Sequence, residues 1–508
     1  MIFSRLIIIS EIHMPSAITP KLYLDRNHSI CWALYLRHRF LLNEELQDLL
    51  EKHRTSIQIH IAIQSAIYFN YSKFYPTDTA VILFTANFSA IKDQKWMCVS
   101  QNEEGNFFVT ETKPRLQYVE PKACALSSLM ALCKTVPSPN SFFIFNANQP
   151  LEKVVKLPLE GPVRESLPIV SCTSSIYFGE RWQLYTTSIE YHHYLGVNRQ
   201  IYYFMSGLEE IHELLKIYES EKLIDLRYWA IPAIKELNAL KEIWNRHQHS
   251  TLNDCYIRYR EAADFIIVHD SDELIMFPGD IDLYNQIKHR ANNKKHFFYL
   301  NSLTSVIYTR RELALFDLYS TLKSITITDE SRNGKCVYDT RFIETVGVHG
   351  PAVDGYSITQ GKDKTGIIVH LRIWEFLNDT ESPENRPLKL DAIYKAHGKL
   401  YKKNLSTYLS DQQIRVMSNI FNQRRNSLRQ NPMFSNLALK ERYYDLADKC
   451  MVYTTNYCLS INNCDLPVLP GVVCLQVRQN YRMITVSSNF IIHFPEGLHI
   501  IYPKNAQE

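Results

Sequence analysis

The chain has 508 residues, of which 45% are hydrophobic and 21% charged, and its formal net charge is +3. This length allows two or three domains with a sizeable core, and the composition excludes wholesale disorder. The small net charge, without a dense stripe of lysine and arginine, argues against a nucleic-acid-binding protein.

Residues 1–165 contain short β-like runs separated by turn-forming segments, which predicts a β-rich accessory region. The predicted strands are residues 56–68, 80–88, 107–110 and 141–145. Residues 153–168 carry three prolines and a glycine, and we interpret them as a linker to the next domain. Near the N-terminus only residues 6–9 form an apolar run, far short of the roughly 20 residues of a membrane helix, so no anchor is visible.

From residue 166 the pattern changes to alternating strands and helices, which predicts βαβ units, a mostly parallel sheet and an α/β domain over residues 166–400. The predicted strands are residues 168–172, 200–205, 222–230, 265–268, two short runs within 296–308, 341–348 and 366–371. The predicted helices are residues 180–195, 208–218, 233–247, 252–261 and 277–290. Residues 401–508 form a C-terminal extension that is first helical and then β-like.

An acidic cluster follows the apolar run at residues 265–268. Asp270 and Asp272 are two residues apart, so at the end of a strand their side chains fall on the same side. Ligands of parallel sheets bind beyond the carboxyl ends of the strands, and paired carboxylates there suit a divalent cation under a nucleotide diphosphate. The cluster therefore indicates sugar transfer from a nucleotide-sugar. A plain solvated turn is the alternative for any D-x-D.

A calcium loop of the EF-hand type is excluded for this cluster. Leu274 stands at the fifth position, where an oxygen ligand is required, and Ile275 stands at the sixth, where glycine is required.

The 11 cysteines are scattered without a C-x-x-C pair, which excludes zinc-finger spacing. They fit either buried thiols in a cytosolic protein or disulfides in a lumenal one, and the odd number leaves at least one thiol free or bridged to another chain. Glycosylation sequons favour the secretory route. They begin at Asn27, Asn70, Asn87, Asn378 and Asn404.

Several segments in order resemble glycosyltransferase family 92, also called domain of unknown function 23, which is abundant in nematodes. The similar segments are residues 172–178 with the following helix to 196, the helix at 208–218, residues 251–260 before the D-x-D-E strand, residues 335–349 and residues 368–372. The resemblance covers residues 166–400. The sequence departs from the family pattern because it shows no N-terminal membrane helix. The resemblance does not extend to the C-terminal tail.

The resemblance implies a GT-A type fold and an inverting galactosyltransferase. Such an enzyme uses Mn²⁺ or Mg²⁺ and UDP-galactose, with a fucose or related sugar on a glycoprotein N-glycan as acceptor. It also implies a type II membrane protein of the Golgi or secretory pathway.

The residues around the cluster receive candidate roles. We expect Asp270 and Asp272 to bind metal and diphosphate, and a histidine from a later strand to complete the metal site, with His349 preferred over His370. A hydrogen-bonded structural histidine is the alternative for both. Glu273 either braces the loop or contacts the acceptor. The general base of an inverting mechanism is not identified, and Glu312, Asp317 and Glu344 are candidates.

The nucleotide-binding candidates lie in and before the helix that leads to the cluster. Arg258 or Arg260, on opposite sides of that helix, would reach the diphosphate with its planar fork, unless both are surface charges. Asn253 and Asp254 would contact uracil or ribose, or cap the helix. Cys172 ends the first strand near the expected nucleotide, but a buried thiol or a bridge to Cys255 explains it equally well.

Two other classes of function remain open from the residues. A carbohydrate-binding or scaffolding protein with the same fold but no turnover is the main alternative, although retaining two costly carboxylates favours an enzyme. A metal-dependent phosphohydrolase would need more ligands for two cations than this cluster offers.

Overall fold

The structure is a computed structural model. It describes residues 58–118, 124–146, 156–232, 234–237, 242–279, 282–291, 296–351, 362–378, 381, 405–435, 437, 472–487 and 489–501. All of these residues belong to one compact unit, Gln58–Glu508. The apolar run at 6–9, the sequons at Asn27 and Asn404 and the cysteines at 31, 450, 458 and 464 lie outside the described residues.

Eighteen strands are present in the described chain. In chain order they are β1 Ile59–Phe69, β2 Thr79–Ala86, β3 Trp96–Gln101, β4 Phe107–Thr112, β5 Arg115–Leu116, β6 Ser127–Lys134, β7 Ser141–Asn146, β8 Ile169–Thr173, β9 Arg199–Phe204, β10 Ser206–Leu208, β11 Ile224–Tyr228, β12 Phe265–His269, β13 Glu273–Met276, β14 Phe297–Thr309, β15 Thr326–Asp339, β16 Lys362–Phe376, β17 Cys474–Ser487 and β18 Phe490–Ile501.

The helices of the described residues fall mostly between the strands of the middle of the chain. In chain order they are α1 Phe88–Ile91, α2 Trp182–Tyr194, α3 Glu209–Ser220, α4 Gln248–Tyr259, α5 Leu283–Ala291, α6 Leu318–Lys323, α7 Asp411–Gln430 and α8 Pro432–Ser435. Short 3₁₀ turns occur at Lys235–Leu237, Trp244–His247 and Leu405–Thr407.

The central sheet has eight strands in the order β11-β9-β8-β12-β15-β14-β16-β13. The first four strands are parallel, so their carboxyl ends share one edge. β15 is antiparallel to both β12 and β14. The sheet is therefore mixed: the α/β class is confirmed, and the predicted parallel pairing holds from β11 to β12 and between β14 and β16, but β15 and β13 are antiparallel to their neighbours.

β12 is an unbroken apolar run because both of its faces are covered. Phe265 and Ile267 join one core cluster, while Ile266 and Val268 join another on the opposite face. All five residues of the strand are buried. A strand buried on both faces needs no polar alternation, and the first polar side chains appear where it leaves the sheet.

The N-terminal and C-terminal strands share a second sheet. Its seven strands run in the order β10-β17-β18-β1-β2-β6-β5, with β1 parallel to β18. A third sheet of three strands has the order β4-β3-β7. The predicted boundaries at residues 165 and 400 stay a prediction, although the pairing of β10 with β17 joins the middle of the chain to the extension.

Two predicted elements are wrong. Residues 341–348 do not form a strand, because side chains from the α4 region bind their backbone in place of a strand neighbour: Tyr256 Oη donates to the carbonyl of Ile343, and Asn253 Nδ2 donates to that of Val346. Residues 242–247 do not continue a helix, because the backbone turns left-handed at residues 245–247.

We predict that Gly334→Ala destabilises the protein and Gly161→Ala does not. A Cβ at Gly334 would lie 1.7 Å from the carbonyl oxygen of Leu300 on β14, whereas nothing lies within 4 Å of a Cβ at Gly161. Forcing the two strands apart costs on the order of 1–3 kcal/mol. Urea titrations of both variants measure the difference, and equal free energies of unfolding would contradict the close approach of β14 and β15.

Candidate active site

Asp270 lies at the end of β12 and is held by three other chain segments. Its Oδ1 accepts hydrogen bonds from Ser174 Oγ, in the loop after β8, and from Gln248 Nε2, the first residue of α4, at 3.1 Å. Its Oδ2 lies 2.6 Å from Lys335 Nζ on β15. Both carboxylate oxygens therefore have fixed partners, which sets the orientation of the side chain.

Lys335 is an internal cation between two carboxylates. Its side chain is 1% exposed, and its Nζ lies 2.6 Å from Asp270 Oδ2 and 3.8 Å from Glu273 Oε2. Burial alone would raise the pKa of Asp270, but the ammonium of Lys335 outweighs it and holds that pKa well below its usual value. The carboxylates raise the pKa of Lys335 in return, although burial opposes this.

Glu273 braces the turn that carries Asp270. Its side chain is 2% exposed, and Oε2 accepts a hydrogen bond from the backbone N–H of Asp270 at 2.8 Å. Burial raises the pKa of Glu273 to about 8, with Lys335 acting in the opposite direction. Of its two predicted roles, the geometry supports bracing, because a side chain this buried does not present itself to an acceptor.

Asp272 pairs with His370 rather than with Lys335. His370 Nε2 lies 2.9 Å from Asp272 Oδ2, and Leu371 N donates to the carbonyl of Asp272 at 2.7 Å. Burial lowers the pKa of His370, but Asp272 dominates and raises it to about 9. His370 therefore stays protonated and donates a hydrogen bond from Nε2 to Asp272, so in this arrangement Nε2 does not serve as the predicted metal ligand.

His349 keeps one ring nitrogen suited to a metal. Its Nδ1 donates to the carbonyl of Gly334 at 2.9 Å, because a carbonyl only accepts, so the unprotonated nitrogen of the neutral ring is Nε2. Burial and the nearby Lys335 lower the pKa of His349, which favours that neutral form. The half-buried ring thus has the protonation that a metal ligand needs.

Cys172 and Asn253 stabilise the fold around the site. Cys172 is fully buried and forms a disulfide with Cys255 on α4, so its thiol does not reach a nucleotide. Asn253 is also fully buried, and its amide bonds the backbone of Val346 in both directions at 2.8 and 2.9 Å. These contacts do not support the predicted binding of uracil or ribose.

Hydrogen bonds inside the protein also occupy Asp254, Arg258 and Arg260. Asp254 accepts hydrogen bonds from Tyr203 Oη at 2.6 Å and from Arg258 Nη2 at 3.1 Å. Arg260 is fully buried and donates to the carbonyls of Thr340 and Glu344. The structure therefore brings none of these three residues to the acidic cluster.

The other predicted catalytic residues also have structural contacts. Asp317 caps α6, with Oδ2 accepting from Ser320 N at 2.8 Å. Glu312 is half-buried in the turn before α6, and Glu344 pairs with Arg115 at 2.6 Å. Within the part of the chain that the structure describes, no hydrogen bond joins these carboxylates to Asp270 or Asp272.

The residues present fit a divalent cation that is shared with a ligand. Mg²⁺ commonly binds through one or two carboxylates plus substrate phosphates, and Asp270 with Asp272 supplies those hard oxygen donors. Within the described ranges no group of three or more His, Cys, Asp or Glu side chains is close enough to hold a metal by itself. Asp270 and Asp272 would therefore hold the ion only together with a phosphate ligand, and His349 is not grouped with both of them in the described structure.

Sequence reasoning missed Lys335, Ser174 and Gln248. Lys335 gave one local signal, because it is a charged residue directly before the apolar Cys336 and Val337 of a buried strand. Ser174 and Gln248 gave none, since a serine or glutamine at the end of an element is common. Only the fold shows that all three meet at Asp270.

The fold and the site define a mixed α/β protein with a carboxylate cluster at the carboxyl edge of its parallel strands. The model of glycosyltransferase family 92 matches residues 168–409. The chain is similar to this glycosyltransferase family over those residues, which make up just under half of its length.

Relatives from Caenorhabditis elegans carry the same family name. One is 23% identical over 85% of this chain and 86% of its own length, and another is 25% identical over 63% of this chain and 64% of its own length. Among solved structures, S. aureus TarS in complex with UDP-GlcNAc covers 52% of this chain and 74% of that chain at 9% identity. Its TM-score of 0.20 is too low to support an argument.

We predict that Lys335→Met lowers the free energy of unfolding by about 2 kcal/mol, because it leaves the carboxylate of Asp270 without its cation. Lys323→Met is the matched control, since Lys323 also pairs with an aspartate but is 44% exposed. Chemical denaturation at pH 7 compares the two variants. An equally small loss of unfolding free energy in both variants would show that Lys335 is not the central counter-ion of Asp270.

We also predict that the wild type loses stability relative to Glu273→Gln as the pH rises from 5 to 8. The folded-state pKa of Glu273 is about 8, above its unfolded value of about 4.3, so the folded protein holds more protons in this range and stability falls with pH. Denaturation midpoints at several pH values measure the difference. A difference that is flat with pH would contradict the raised pKa.

Proposed function

We propose that this protein is a metal-dependent inverting glycosyltransferase of the GT-A type. It moves a hexose, galactose from UDP-galactose, onto a glycan acceptor such as fucose on a glycoprotein N-glycan. The match of residues 168–409 to the glycosyltransferase family model supports glycosyl transfer. The observation that carries the proposal is the pair Asp270 and Asp272, held by Lys335 and His370 where the parallel strands end.

The proposed cation is Mn²⁺ or Mg²⁺, held by Asp270, Asp272 and His349 together with the diphosphate of the donor. When bound, such an ion neutralises the negative charge that develops on the leaving diphosphate. The protein fixes the donor atoms beforehand, since Lys335 and Ser174 orient Asp270 and His370 orients Asp272. Pre-oriented charges need little reorganisation during the reaction.

The donor sugar and the acceptor in this proposal come from the resemblance to the family. The contacts around Asp270 support a nucleotide diphosphate as the class of ligand but do not distinguish galactose from another hexose. A panel of UDP-hexoses therefore belongs in the test.

We further propose that the enzyme works in the Golgi or secretory pathway as a type II membrane protein. The disulfides Cys98–Cys133 and Cys172–Cys255 support an oxidising compartment. Asn70 and Asn87, which begin two of the sequons, are exposed and accessible to glycosylation. None of the helices in the described part of the chain is both long and apolar enough to span a membrane.

One observation favours the alternative of a carbohydrate-binding or scaffolding protein without turnover. Lys335 already pairs with Asp270, so this carboxylate is neutralised without a metal. A protein of this kind would bind a nucleotide-sugar or glycan but would not cleave the donor.

The test incubates the purified chain with Mn²⁺ and a panel of UDP-hexoses and measures UDP release with and without a fucosylated glycan. We expect turnover with UDP-galactose that stops with chelator and falls by about 100-fold or more in Asp272→Asn, because even outer contacts of a metal ligand affect activity by 10–100-fold. Asp411→Asn, an exposed carboxylate in the first turn of α7, is the control and should retain activity.

Nucleotide binding without UDP release from any donor would favour the binding protein. Full activity in chelator or in Asp272→Asn would contradict the metal-dependent mechanism.

A further inference from the structure

Two loops at the carboxyl edge of the parallel strands each touch Asp270 through one residue. These residues are Ser174, in the loop after β8, and Gln248, at the start of α4. Three residues after Ser174 lies Tyr177, and two residues before Gln248 lies Arg246. The guanidinium carbon of Arg246 lies 5.4 Å from the centroid of the Tyr177 ring. The loops thus bring an arginine and an aromatic ring together, each within three residues of a side chain that bonds Asp270.

The backbone beside both members of this pair is left-handed. The angle φ is 43° at Asn245, 59° at Arg246, 61° at His247 and 48° at Phe178, and none of them is glycine. Such a backbone conformation is unfavourable for a residue with a side chain and persists only where the surroundings impose it, most often at functional sites. Among the described residues only three other non-glycine residues have positive φ.

The turn with Arg246 is anchored by the residue that follows it. His247 is 1% exposed, and its Nδ1 accepts from Trp229 Nε1 at 3.2 Å while its Nε2 lies 2.8 Å from Thr85 Oγ1. Burial lowers the pKa of His247 to about 3, so the ring stays neutral and keeps both contacts. The anchor fixes where the Arg246 side chain begins.

The loop with Tyr177 is anchored in the same way. The backbone N–H of Phe178 donates to Ser206 Oγ at 2.9 Å. Gly179 bridges to Gly207, where a Cβ would come within 3.0 Å of the Gly179 carbonyl oxygen, so the two chains approach as closely as glycine allows. Tyr177 and Arg246 themselves are half-exposed, whereas His247 and Ser206 are buried.

The chemistry of this pair suits a diphosphate. A diphosphate that approaches Asp270 and Asp272 brings negative charge towards two carboxylates, so a further cation at the rim lowers the repulsion. Guanidinium offers a planar fork that matches phosphate oxygens, and an aromatic face beneath it holds the plane of the fork. Arg258 and Arg260, the arginines that the sequence suggested, face the interior instead.

We propose that Arg246 binds the diphosphate of the nucleotide-sugar donor and that Tyr177 is a positioning residue for its guanidinium. This inference rests on the proposed function and deepens it, since it names the donor's diphosphate as the group that the Trp244–His247 turn recognises. No bond is made or broken in this step: the arginine binds the diphosphate in the donor and again in the departing product.

The experiment measures UDP and uridine binding to the full chain by isothermal titration calorimetry. We expect Arg246→Gln to weaken UDP binding at least about 10-fold, the equivalent of one or two lost charge-assisted hydrogen bonds. The UDP affinity of Arg246→Lys should lie between those of the wild type and Arg246→Gln. Uridine binding should not change, because uridine has no phosphate.

Arg164→Gln is the matched control. Arg164 also lies over a tyrosine, with its guanidinium carbon 3.7 Å from the Tyr71 ring centroid, but its hydrogen bonds go to Asn70 and Tyr71. This variant should bind UDP like the wild type.

Two variants of Tyr177 test its positioning role. Tyr177→Phe keeps the aromatic face and should preserve UDP binding, whereas Tyr177→Leu should weaken it without affecting uridine binding. A purely structural role for Tyr177 would not produce this split between the two ligands.

The outcomes separate this inference from the proposed function. Unchanged UDP affinity in Arg246→Gln, or an equal loss of UDP and uridine affinity, would overturn the role of Arg246 and leave the glycosyltransferase proposal standing. A wild type that binds no UDP, with or without Mn²⁺, would overturn the proposed function and this inference together.

Discussion

The ion pair between the buried Lys335 and the half-buried Asp270 is the interaction on which the rest of the site depends. Taking a lysine out of water costs several kcal/mol, and only close pairing with further hydrogen bonds offsets that cost. The structure supplies both, with Nζ 2.6 Å from Asp270 Oδ2 and with Ser174 and Gln248 on the other oxygen. The pair therefore holds one metal-binding carboxylate in place, and it also adds a fixed positive charge where a diphosphate would bind.

The mixed sheet explains how these partners meet. The parallel strands β8 and β12 deliver Ser174 and Asp270 to one edge, and the antiparallel β15, registered with Ile267 opposite Val337, returns Lys335 to the same edge. If β15 ran parallel to β12, its last residues would lie at this edge, and Lys335, which precedes them, would lie further inside the sheet. The antiparallel half also contributes His370, which faces Glu273 in the pairing of β13 with β16. Each half of the sheet thus supplies one partner of each ion pair.

Local patterns in the sequence predicted the elements but not their partners. β12 and the position of Asp270 and Asp272 followed from an apolar run and a two-residue spacing, which are local features. Lys335 lies 65 residues away from Asp270 along the chain, and no local rule assigns that contact. The helical period predicted that Arg258 and Arg260 point to opposite sides of the helix. It could not show that both sides are buried. The left-handed turn with Arg246 has no glycine or turn motif to reveal it, since tertiary contacts to His247 impose its backbone.

The central claim is that Asp270 and Asp272 bind a divalent cation together with a nucleotide diphosphate. Electron paramagnetic resonance of Mn²⁺ tests it directly, because the spectrum changes when the ion moves from water or from free Mn²⁺–UDP into a protein site. We expect a protein-bound signal that saturates near one equivalent of Mn²⁺ in the presence of UDP, is weak without UDP, and is lost in Asp272→Asn. An identical spectrum for Asp272→Asn, or no protein-bound signal with UDP present, would contradict the account.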